Sequence, residues 1–298
     1  MTEDVSERYS DFDKWSPEDA VAAMYEGQLE ALAVLWSALA DISTAVTKAA
    51  ATLGEQGRLV YVGAGTSGRL AVQDGAELKP TFNWPQARTV FCIAGGLEAL
   101  TVSIEGAEDS VEDGTAIIQD NNVNENDVVI AVAASGRTPY TLAALREAKR
   151  RGALTIGIVN NAATPILLEA EVGILADTGS ELVAGSTRMK AGTVQKVILN
   201  MISTAVMAQM GRVYRGYMVD MVVSNQKLAN RAVGMVSDIA ECSPEVARAA
   251  LDQANNHIKT AILICSGVPA EKCKLILAEH GGNLRSVLET QQGQTSES

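Results

Sequence analysis

The middle of the chain alternates short apolar runs with longer stretches in which apolar residues recur every three or four positions. Apolar runs of four to six residues between glycine-rich turns are typical of strands buried on both faces of a parallel sheet. The stretches between them have the length of crossover helices. The sequence therefore predicts an α/β fold with a parallel β-sheet flanked by helices on both faces. The predicted strands are residues 59–62, 89–94, 128–132, 155–159 and 172–175.

Long helical patterns lie on either side of this region. Ser16 and Pro17 mark a helix start, because serine is a favoured N-cap and proline suits the first helical position. One long helix is expected over 20–53, and two more are expected over 187–210 and 218–236. Their apolar residues recur at helical spacing, so each helix should bury one face.

A small helical module is predicted after Ser243. It should contain three short helices, broken near Gly267 and again at Gly281. The patterns divide the chain into an N-terminal helical region (1–53), an α/β domain (54–236), a C-terminal helical module (237–290) and a tail (291–298). The tail is polar throughout, and we expect it to be disordered.

The charge of the chain excludes several classes of partner. Its net charge of -12 argues against nucleic-acid binding, which requires clustered lysine and arginine. The acidic first residues lack the apolar segment of a signal peptide, and no run of about 18 apolar residues follows. We therefore expect a soluble, cytoplasmic protein without a membrane partner, in which an anionic small molecule is bound by local donors.

Cysteine and histidine do not indicate a metal site. The four cysteines form no CxxC pair, and the chain has only two histidines. Neither a zinc site nor a disulfide framework is expected from this pattern. We predict no bound metal.

A glycine-rich turn follows the first predicted strand. Gly63, Gly65 and Gly68 are spaced as in a dinucleotide-binding turn, and the next helix is expected to begin near residue 70. Glycines permit close approach of the backbone to an anion, while Thr66 and Ser67 offer hydroxyl donors. The spacing alone fits a phosphate site, a dinucleotide site or a structural turn.

A second turn of similar composition follows the third predicted strand and contains Ser135, Gly136, Arg137 and Thr138. Loops at the carboxyl ends of parallel strands lie at one edge of the sheet, where such folds bind ligands. The second predicted strand ends in glycines rather than in the acid that a dinucleotide site requires. Two hydroxyl-rich turns favour one compact phosphate group over a dinucleotide.

A third candidate lies at the start of the helix predicted from residue 187. Ser186, Thr187 and Lys190 place hydroxyls and a base at a helix N-terminus, which favours an anion. Helix capping alone also explains Ser186 or Thr187.

These motifs resemble those of the sugar isomerase (SIS) fold and, within it, the N-acetylmuramic acid 6-phosphate etherases. Two departures from the family pattern are Ala76, where a serine is usual, and the N-terminal segment, which matches the usual Thr-Glu at Thr2 and Glu3 and then diverges. The matching segments are GAGTSGRL from Gly63, DGAELKPTF from Asp74, IAGG from Ile93, EGAEDS from Glu105, AASGRTPY from Ala133, AGSTRMKAGTVQK from Ala184 and MVDM from Met218.

The resemblance implies a SIS-type sugar-phosphate-binding domain and a lyase. Such an enzyme removes D-lactate from N-acetylmuramic acid 6-phosphate, gives N-acetylglucosamine 6-phosphate and serves the recycling of cell-wall amino sugars. The resemblance nominates Glu77 as the proton donor and Glu108 as the second acid/base residue. It also implies a homodimer that uses no organic cofactor. The binding residues expected for the sugar phosphate are Gly65, Thr66, Ser67, Ser135, Gly136, Arg137, Thr138, Ser186, Thr187 and Lys190.

Two other functional classes stay open from the sequence. A non-catalytic sugar-phosphate sensor fits the same fold, although a sensor has no need of two acids. A nicotinamide-dependent oxidoreductase fits the glycine spacing at Gly63.

Overall fold

The fold is taken from a computed structural model that describes residues 1–295. Five parallel strands form one sheet in the order β2-β1-β3-β4-β5. The predicted α/β class is confirmed, and each predicted strand is present to within one residue at either end. The strands are β1 (Leu59–Gly63), β2 (Thr89–Ile93), β3 (Val128–Val132), β4 (Leu154–Val159) and β5 (Val172–Leu175).

The chain divides into two compact units. The first contains Met1–Ala76 and Gln86–Thr204, and the second contains Glu77–Pro85 and the described chain from Ala205 onward. These units do not follow the predicted boundaries at 53 and 236, since the N-terminal helices belong to the unit that holds the sheet. The helices of the first unit are α1 (Pro17–Ala33), α2 (Leu35–Leu53), α4 (Val111–Asp120), α5 (Pro139–Arg150) and α6 (Pro165–Glu169), with most of α3 (Gly65–Phe82) and α7 (Lys190–Gln209).

Both faces of the sheet are covered by helices. Alternate side chains of a strand point to opposite faces, and in β1 both Val60 and Tyr61 are buried. Val60 packs in a core that includes residues of α4, α5 and α6. On the other face, the Tyr61 hydroxyl donates to Asp74 Oδ2 of α3 (2.9 Å). Continuous burial along β1, β3 and β4 explains why these strands are almost entirely apolar, with Thr155 of β4 as the polar exception.

The predicted helix over 20–53 is two helices. Ser16 caps α1 by accepting a hydrogen bond from the Asp19 N–H (3.1 Å), as expected. A break at Val34 then separates α1 from α2, and the two helices are bent by 47°. No proline or glycine marks this break in the sequence. Among the described helices, none alone has the length and apolar character to cross a membrane, and only α1 and α2 together, as a bent pair, meet that requirement.

The second unit has its own apolar core, formed by helices that include α8 (Gln226–Ala240), α9 (Pro244–Gln253), α10 (Ile258–Cys265), α11 (Ala270–Glu279) and α12 (Leu284–Thr295). The predicted helix over 218–236 is wrong in its first part. Asn225 is extended and caps α8 by accepting from the Leu228 N–H (3.0 Å), so the helix begins eight residues late.

As far as Thr295, the C-terminal segment contains four helices where three were predicted. The unforeseen break lies between α9 and α10, where Asn255 and Asn256 both adopt a left-handed backbone conformation. The last helix is described as far as Thr295, so it overlaps the predicted tail at 291–295. Residues 296–298 lie outside the described residues.

Glu147 joins α4 to α5. Its carboxylate accepts from Arg150 (2.6 Å) and Arg151 (3.1 Å) of the C-terminal end of α5 and from Gln119 of α4 (3.1 Å). These hydrogen bonds, that of Arg150 foremost, hold the pKa of Glu147 at about 2, below its ordinary value of 4.5. A carboxyl whose pKa falls on folding stabilises the fold above its ordinary pKa and loses this effect as the pH falls towards the folded value.

We predict that Glu147→Gln lowers the free energy of unfolding at neutral pH by about 1 to 2 kcal/mol, with the difference from wild type shrinking between about pH 4.5 and pH 2. Urea unfolding at several pH values measures this. Glu125→Gln, at an exposed glutamate, is the control. A difference that does not change with pH would contradict the role of the lowered pKa.

Candidate functional site

The two hydroxyl-rich turns lie at the same edge of the sheet. β1 and β3 are hydrogen-bonded neighbours and run in the same direction, so both turns follow adjacent carboxyl ends. The sequence predicted this arrangement. It brings the segment after Gly63 close to the segment after Val132.

The glycine-rich turn after β1 forms the beginning of helix α3. α3 begins at Gly65, five residues earlier than predicted. Gly63 and Gly68 are needed for close packing, because a Cβ on Gly63 would lie 2.9 Å from the Gly68 Cα. This glycine pattern therefore packs α3 onto β1, and Gly65 is the exposed member of the three.

Ser67 is tied to a buried network of side chains. Its hydroxyl donates to Gln195 Oε1 of α7 (2.9 Å), and Gln195 Nε2 donates to Asn160 Oδ1 (2.8 Å) just after β4. Asn160 Nδ2 in turn donates to the Ala176 carbonyl (2.9 Å). Because the Ser67 proton is engaged in this network, its hydroxyl oxygen is available to a ligand only as an acceptor. The sequence had suggested a donor.

The second turn presents its hydroxyls at the start of α5. Ser135 Oγ accepts from the Arg137 N–H (3.2 Å) and lies 3.4 Å from Thr138 Oγ1. Thr138 is the N-cap residue of α5, yet its side chain makes no capping hydrogen bond. The Gly136 N–H donates to the Ala133 carbonyl (3.0 Å), which closes the turn.

An open polar cavity of about 480 Å³ lies at this edge. Most of its side chains are polar: four hydroxyls, three carboxylates and one guanidinium, which together offer both donors and acceptors to a polar ligand. Nine of its lining residues are Glu3, Ser67, Glu108, Asp109, Ser135, Arg137, Thr138, Gly185 and Thr187. A second cavity, of about 320 Å³, is lined by residues that include Gly65, Arg69, Glu105 and Glu108.

Glu108 is the acidic residue that lines both cavities. It lies in a single 3₁₀ turn, Ala107–Asp109, just before α4, and its side chain is exposed. Glu105 lines only the smaller cavity and Asp109 only the larger one. Position thus distinguishes Glu108 from its two acidic neighbours, which the sequence pattern alone did not.

The N-terminus of α7 is already occupied by a protein carboxylate. Glu181 is fully buried, and its two oxygens accept from the N–H groups of Lys190 and Ala191 (both 2.9 Å). The expected anion site at this helix start is therefore filled by Glu181, and α7 begins at Lys190 rather than at 187. Thr187 still lines the larger cavity from the preceding turn.

Lys190 is buried in the first turn of α7. Its ammonium lies 3.8 Å from Glu30 Oε2 of α1, and its aliphatic chain packs on Gly27. Lys190 and Ser186 are not among the residues that line the two cavities described above. Thr66 lies beside α7, with its methyl group near Gly192.

Comparison with known proteins places the chain in a family. A family model described as the SIS domain matches residues 99–205, and one described as the N-terminal SIS domain of glucokinase regulatory protein matches residues 41–149. An N-acetylmuramic acid 6-phosphate etherase from Deinococcus radiodurans is 43% identical over 96% of this chain and 94% of the relative. Another, from Erwinia tasmaniensis, is 46% identical over 94% of this chain and 92% of the relative. The chain belongs to the N-acetylmuramic acid 6-phosphate etherase family.

Solved structures with a similar fold include a ligand complex of a protein from E. coli CFT073, with a TM-score of 0.49 at 18% identity over 68% of this chain and 97% of that chain. A phosphoheptose isomerase from Francisella tularensis has a TM-score of 0.48 at 14% identity over 64% of this chain and 98% of that chain.

The two acids that the etherase family nominates lie in different units. Glu108 is in the first unit, whereas Glu77 is in the second, exposed near the C-terminal end of α3. Glu77 is not among the residues that line the two cavities described above.

Asp74 belongs to the same family motif as Glu77, but its role is structural. It is buried, and Asn200 (2.6 Å), Tyr61 (2.9 Å) and Ser203 (3.0 Å) donate to its carboxylate. Burial raises the pKa of Asp74, and these hydrogen bonds oppose the rise. The motif therefore contains one buried acid that joins α3 to β1 and α7, and one exposed acid, Glu77.

Sequence reasoning missed several polar residues of the site. Glu181, Gln195, Asn160 and Asn161 act through contacts between residues far apart in the chain, which no local pattern reveals. Glu3 was visible only as part of the family's N-terminal Thr-Glu pair. The only local signal was polarity directly after a buried strand, as at Asn160 and Asn161.

Within the described residues, no group of three or more histidine, cysteine or carboxylate side chains is arranged to hold a metal ion. The four cysteines are free thiols.

Proposed function

We propose that the protein is a carbon–oxygen lyase that cleaves the D-lactyl ether of N-acetylmuramic acid 6-phosphate. The products are N-acetylglucosamine 6-phosphate and D-lactate. Membership of the etherase family over nearly the whole chain carries this proposal. The polar cavity at the edge of the sheet is the proposed substrate site, in which the hydroxyls of Ser135 and Thr138 would donate to the phosphate.

The reaction requires a base, an acid and stabilisation of an enolate. In the open-chain sugar the C1 aldehyde acidifies the C2 proton, and its removal gives an enolate that expels the lactyl oxygen from C3. Water then adds at C3. Because alkoxides are poor leaving groups, a positioned acid must protonate the departing oxygen.

Glu108 is proposed as the base at C2 and Glu77 as the acid for the leaving oxygen. The position of Glu108 on the lining of both cavities supports its role. The role of Glu77 rests on the family motif. Lys190 lies beside Glu30, which favours a supporting role for this lysine in the site. The proposed sugar-phosphate residues are those expected from the sequence: Gly65, Thr66, Ser67, Ser135, Gly136, Arg137, Thr138, Ser186, Thr187 and Lys190.

The proposed place of action is the cytoplasm, in the recycling of cell-wall amino sugars. The substrate of the named relatives is an amino sugar phosphate, and phosphorylated sugars are retained inside cells. The reaction as written needs neither electron transfer nor an organic cofactor, because elimination followed by hydration changes no net oxidation state.

We predict that incubation with N-acetylmuramic acid 6-phosphate yields N-acetylglucosamine 6-phosphate and D-lactate in equal amounts, with and without EDTA. Mass spectrometry of the products measures this. The control is N-acetylmuramic acid without phosphate, which should react far more slowly because it lacks the anchoring group. Intact phosphorylated substrate after prolonged incubation with folded protein would instead favour a sugar-phosphate sensor.

The two glutamates should differ in the step that they block. Glu77→Gln should reduce lactate release by about 10² to 10⁴-fold, the usual contribution of a positioned acid, and should still exchange the C2 hydrogen with deuterium. Glu108→Gln should lose both activities, because cleavage cannot precede deprotonation. Proton NMR of the substrate in D₂O measures exchange, and Glu105→Gln is the control. Loss of exchange in Glu77→Gln, with normal exchange in Glu108→Gln, would reverse the two assignments.

A homodimer is also proposed, in which the sheet-bearing units pack together. α1 and α2 of the first unit carry a stripe of exposed apolar side chains at helical spacing, of which Trp36 is 82% exposed. Several large exposed apolar side chains on one pair of helices support an interaction surface there. The stripe consists of Val21, Tyr25, Leu29, Leu32, Trp36 and Leu39.

We predict a dimer mass by light scattering at micromolar protein. The double variant Leu29→Asp, Trp36→Asp should shift the mass towards the monomer, because each change buries a charge in the apolar interface. The matched control is Leu168→Asp, at an exposed leucine of α6 outside the stripe. A monomer mass for the wild type would overturn the dimer, and a dimer mass for the double variant would move the interface elsewhere.

A further inference from the structure

The first residues of the chain are fixed at the larger cavity. Thr2 is fully buried, and its N–H donates to Asn161 Oδ1 (3.0 Å). Asn161 Nδ2 donates back to Thr2 Oγ1 (2.8 Å), and the Gly185 N–H donates to the Thr2 carbonyl (3.1 Å). Because its N–H, its carbonyl and its hydroxyl all take part in hydrogen bonds, Thr2 has a defined position.

Asn161 also connects this segment to the second turn. Its Nδ2 donates to the carbonyl of Ala134 (2.9 Å), the residue immediately before Ser135. Gly185 belongs to the segment that leads into Thr187 and α7. Thr2 is therefore held against two of the segments that form the cavity.

Glu3 follows Thr2 and projects its carboxylate onto the cavity lining, which it shares with Ser135 and Glu108. The carboxylate lies against Gly185, where an added Cβ would approach Glu3 Oε2 to 2.8 Å. In the described part of the chain, no hydrogen bond or ion pair engages the side chain of Glu3. Its oxygens are therefore available to a ligand.

The chemistry of the lining gives Glu3 a specific task. Backbone N–H groups, hydroxyls and Arg137 suit the phosphate oxygens, whereas sugar hydroxyls require acceptors. An ionised carboxylate is an acceptor only, and it repels a phosphate. The lining contains the carboxylates Glu3, Glu108 and Asp109, and Glu108 is already proposed as the base. Glu3 is thus a carboxylate acceptor for a sugar hydroxyl, and acceptors combined with phosphate donors would favour one orientation of a sugar phosphate.

We propose that Glu3 binds a hydroxyl group of the sugar phosphate and orients the substrate, with Thr2 as the positioning residue. This inference rests on the proposed function, since the ligand is the substrate of that reaction. It assigns a ligand-binding role to the N-terminal segment, where the sequence otherwise departs from the family pattern.

The test compares Glu3→Ala and Glu3→Gln with Glu7→Gln, a change at an exposed acid that does not line the cavity. Glu3→Ala should raise KM for lactate release by about 10- to 100-fold, the range for loss of a hydrogen bond to a charged group, with a smaller change in kcat. Glu3→Gln keeps one acceptor oxygen and should lose less. Glu7→Gln should match the wild type.

Calorimetry with two probes separates orientation from damage to the phosphate site. Glu3→Ala should weaken binding of N-acetylglucosamine 6-phosphate by a similar factor and should leave the affinity for inorganic phosphate unchanged or slightly higher, because a negative charge is removed. Equal loss for both probes would indicate a general structural effect and overturn the proposal. Wild-type KM and affinities in Glu3→Ala would also overturn it.

Thr2 provides a second, independent variant pair. Thr2→Ala removes the hydroxyl that accepts from Asn161 and should raise KM, whereas Thr2→Ser retains it and should restore the wild-type value. If the wild-type protein releases no lactate, the proposed reaction fails. The affinity of the Glu3 and Thr2 variants for N-acetylglucosamine 6-phosphate then decides the inference on its own.

Discussion

The ends of the strands are held in place by a chain of buried amide side chains. Gln195 connects Ser67 of α3 to Asn160 after β4, and Asn160 reaches the backbone beyond β5 at Ala176. The next residue, Asn161, binds the backbone of the second turn. A buried amide that loses its partner costs about 1 to 3 kcal/mol. The positions of both turns therefore depend on a network in which Ser67 is the one member proposed to bind the ligand.

The network changes what the glycine-rich turn can do. Close packing of Gly63 on Gly68 and early helix formation at Gly65 leave this segment compact. Its serine faces inward to Gln195. The second turn, with Ser135 and Thr138 at the N-terminus of α5, has the more accessible hydroxyls. The two turns look alike in the sequence, but the structure gives the first a packing role and the second the more accessible donors.

Local patterns were sufficient for the sheet. The strands are buried on both faces, so continuous apolar runs such as 128–132 located them closely. Interruptions in helices were harder to predict. The bend at Val34 has no proline or glycine to mark it. The break after α9 has a weaker signal, because asparagine is enriched in the left-handed conformation that Asn255 and Asn256 adopt. At the site, the hydroxyl-rich turns were visible as composition. The acids and amides that position them come from distant segments, so their roles appear only once the chain is folded.

The start of α7 illustrates why a favourable local pattern is not enough to identify a ligand site. Hydroxyls, a base and free N–H groups at a helix N-terminus all favour an anion, and an anion is indeed bound there: the carboxylate of Glu181. The same electrostatic preference that predicts a ligand is satisfied by the protein itself. Because Glu181 is fully buried, its charge is compensated by the helix rather than by solvent, and a substrate phosphate would have to displace it. We therefore propose the second turn as the phosphate site, since its N-cap hydroxyl on Thr138 makes no capping hydrogen bond.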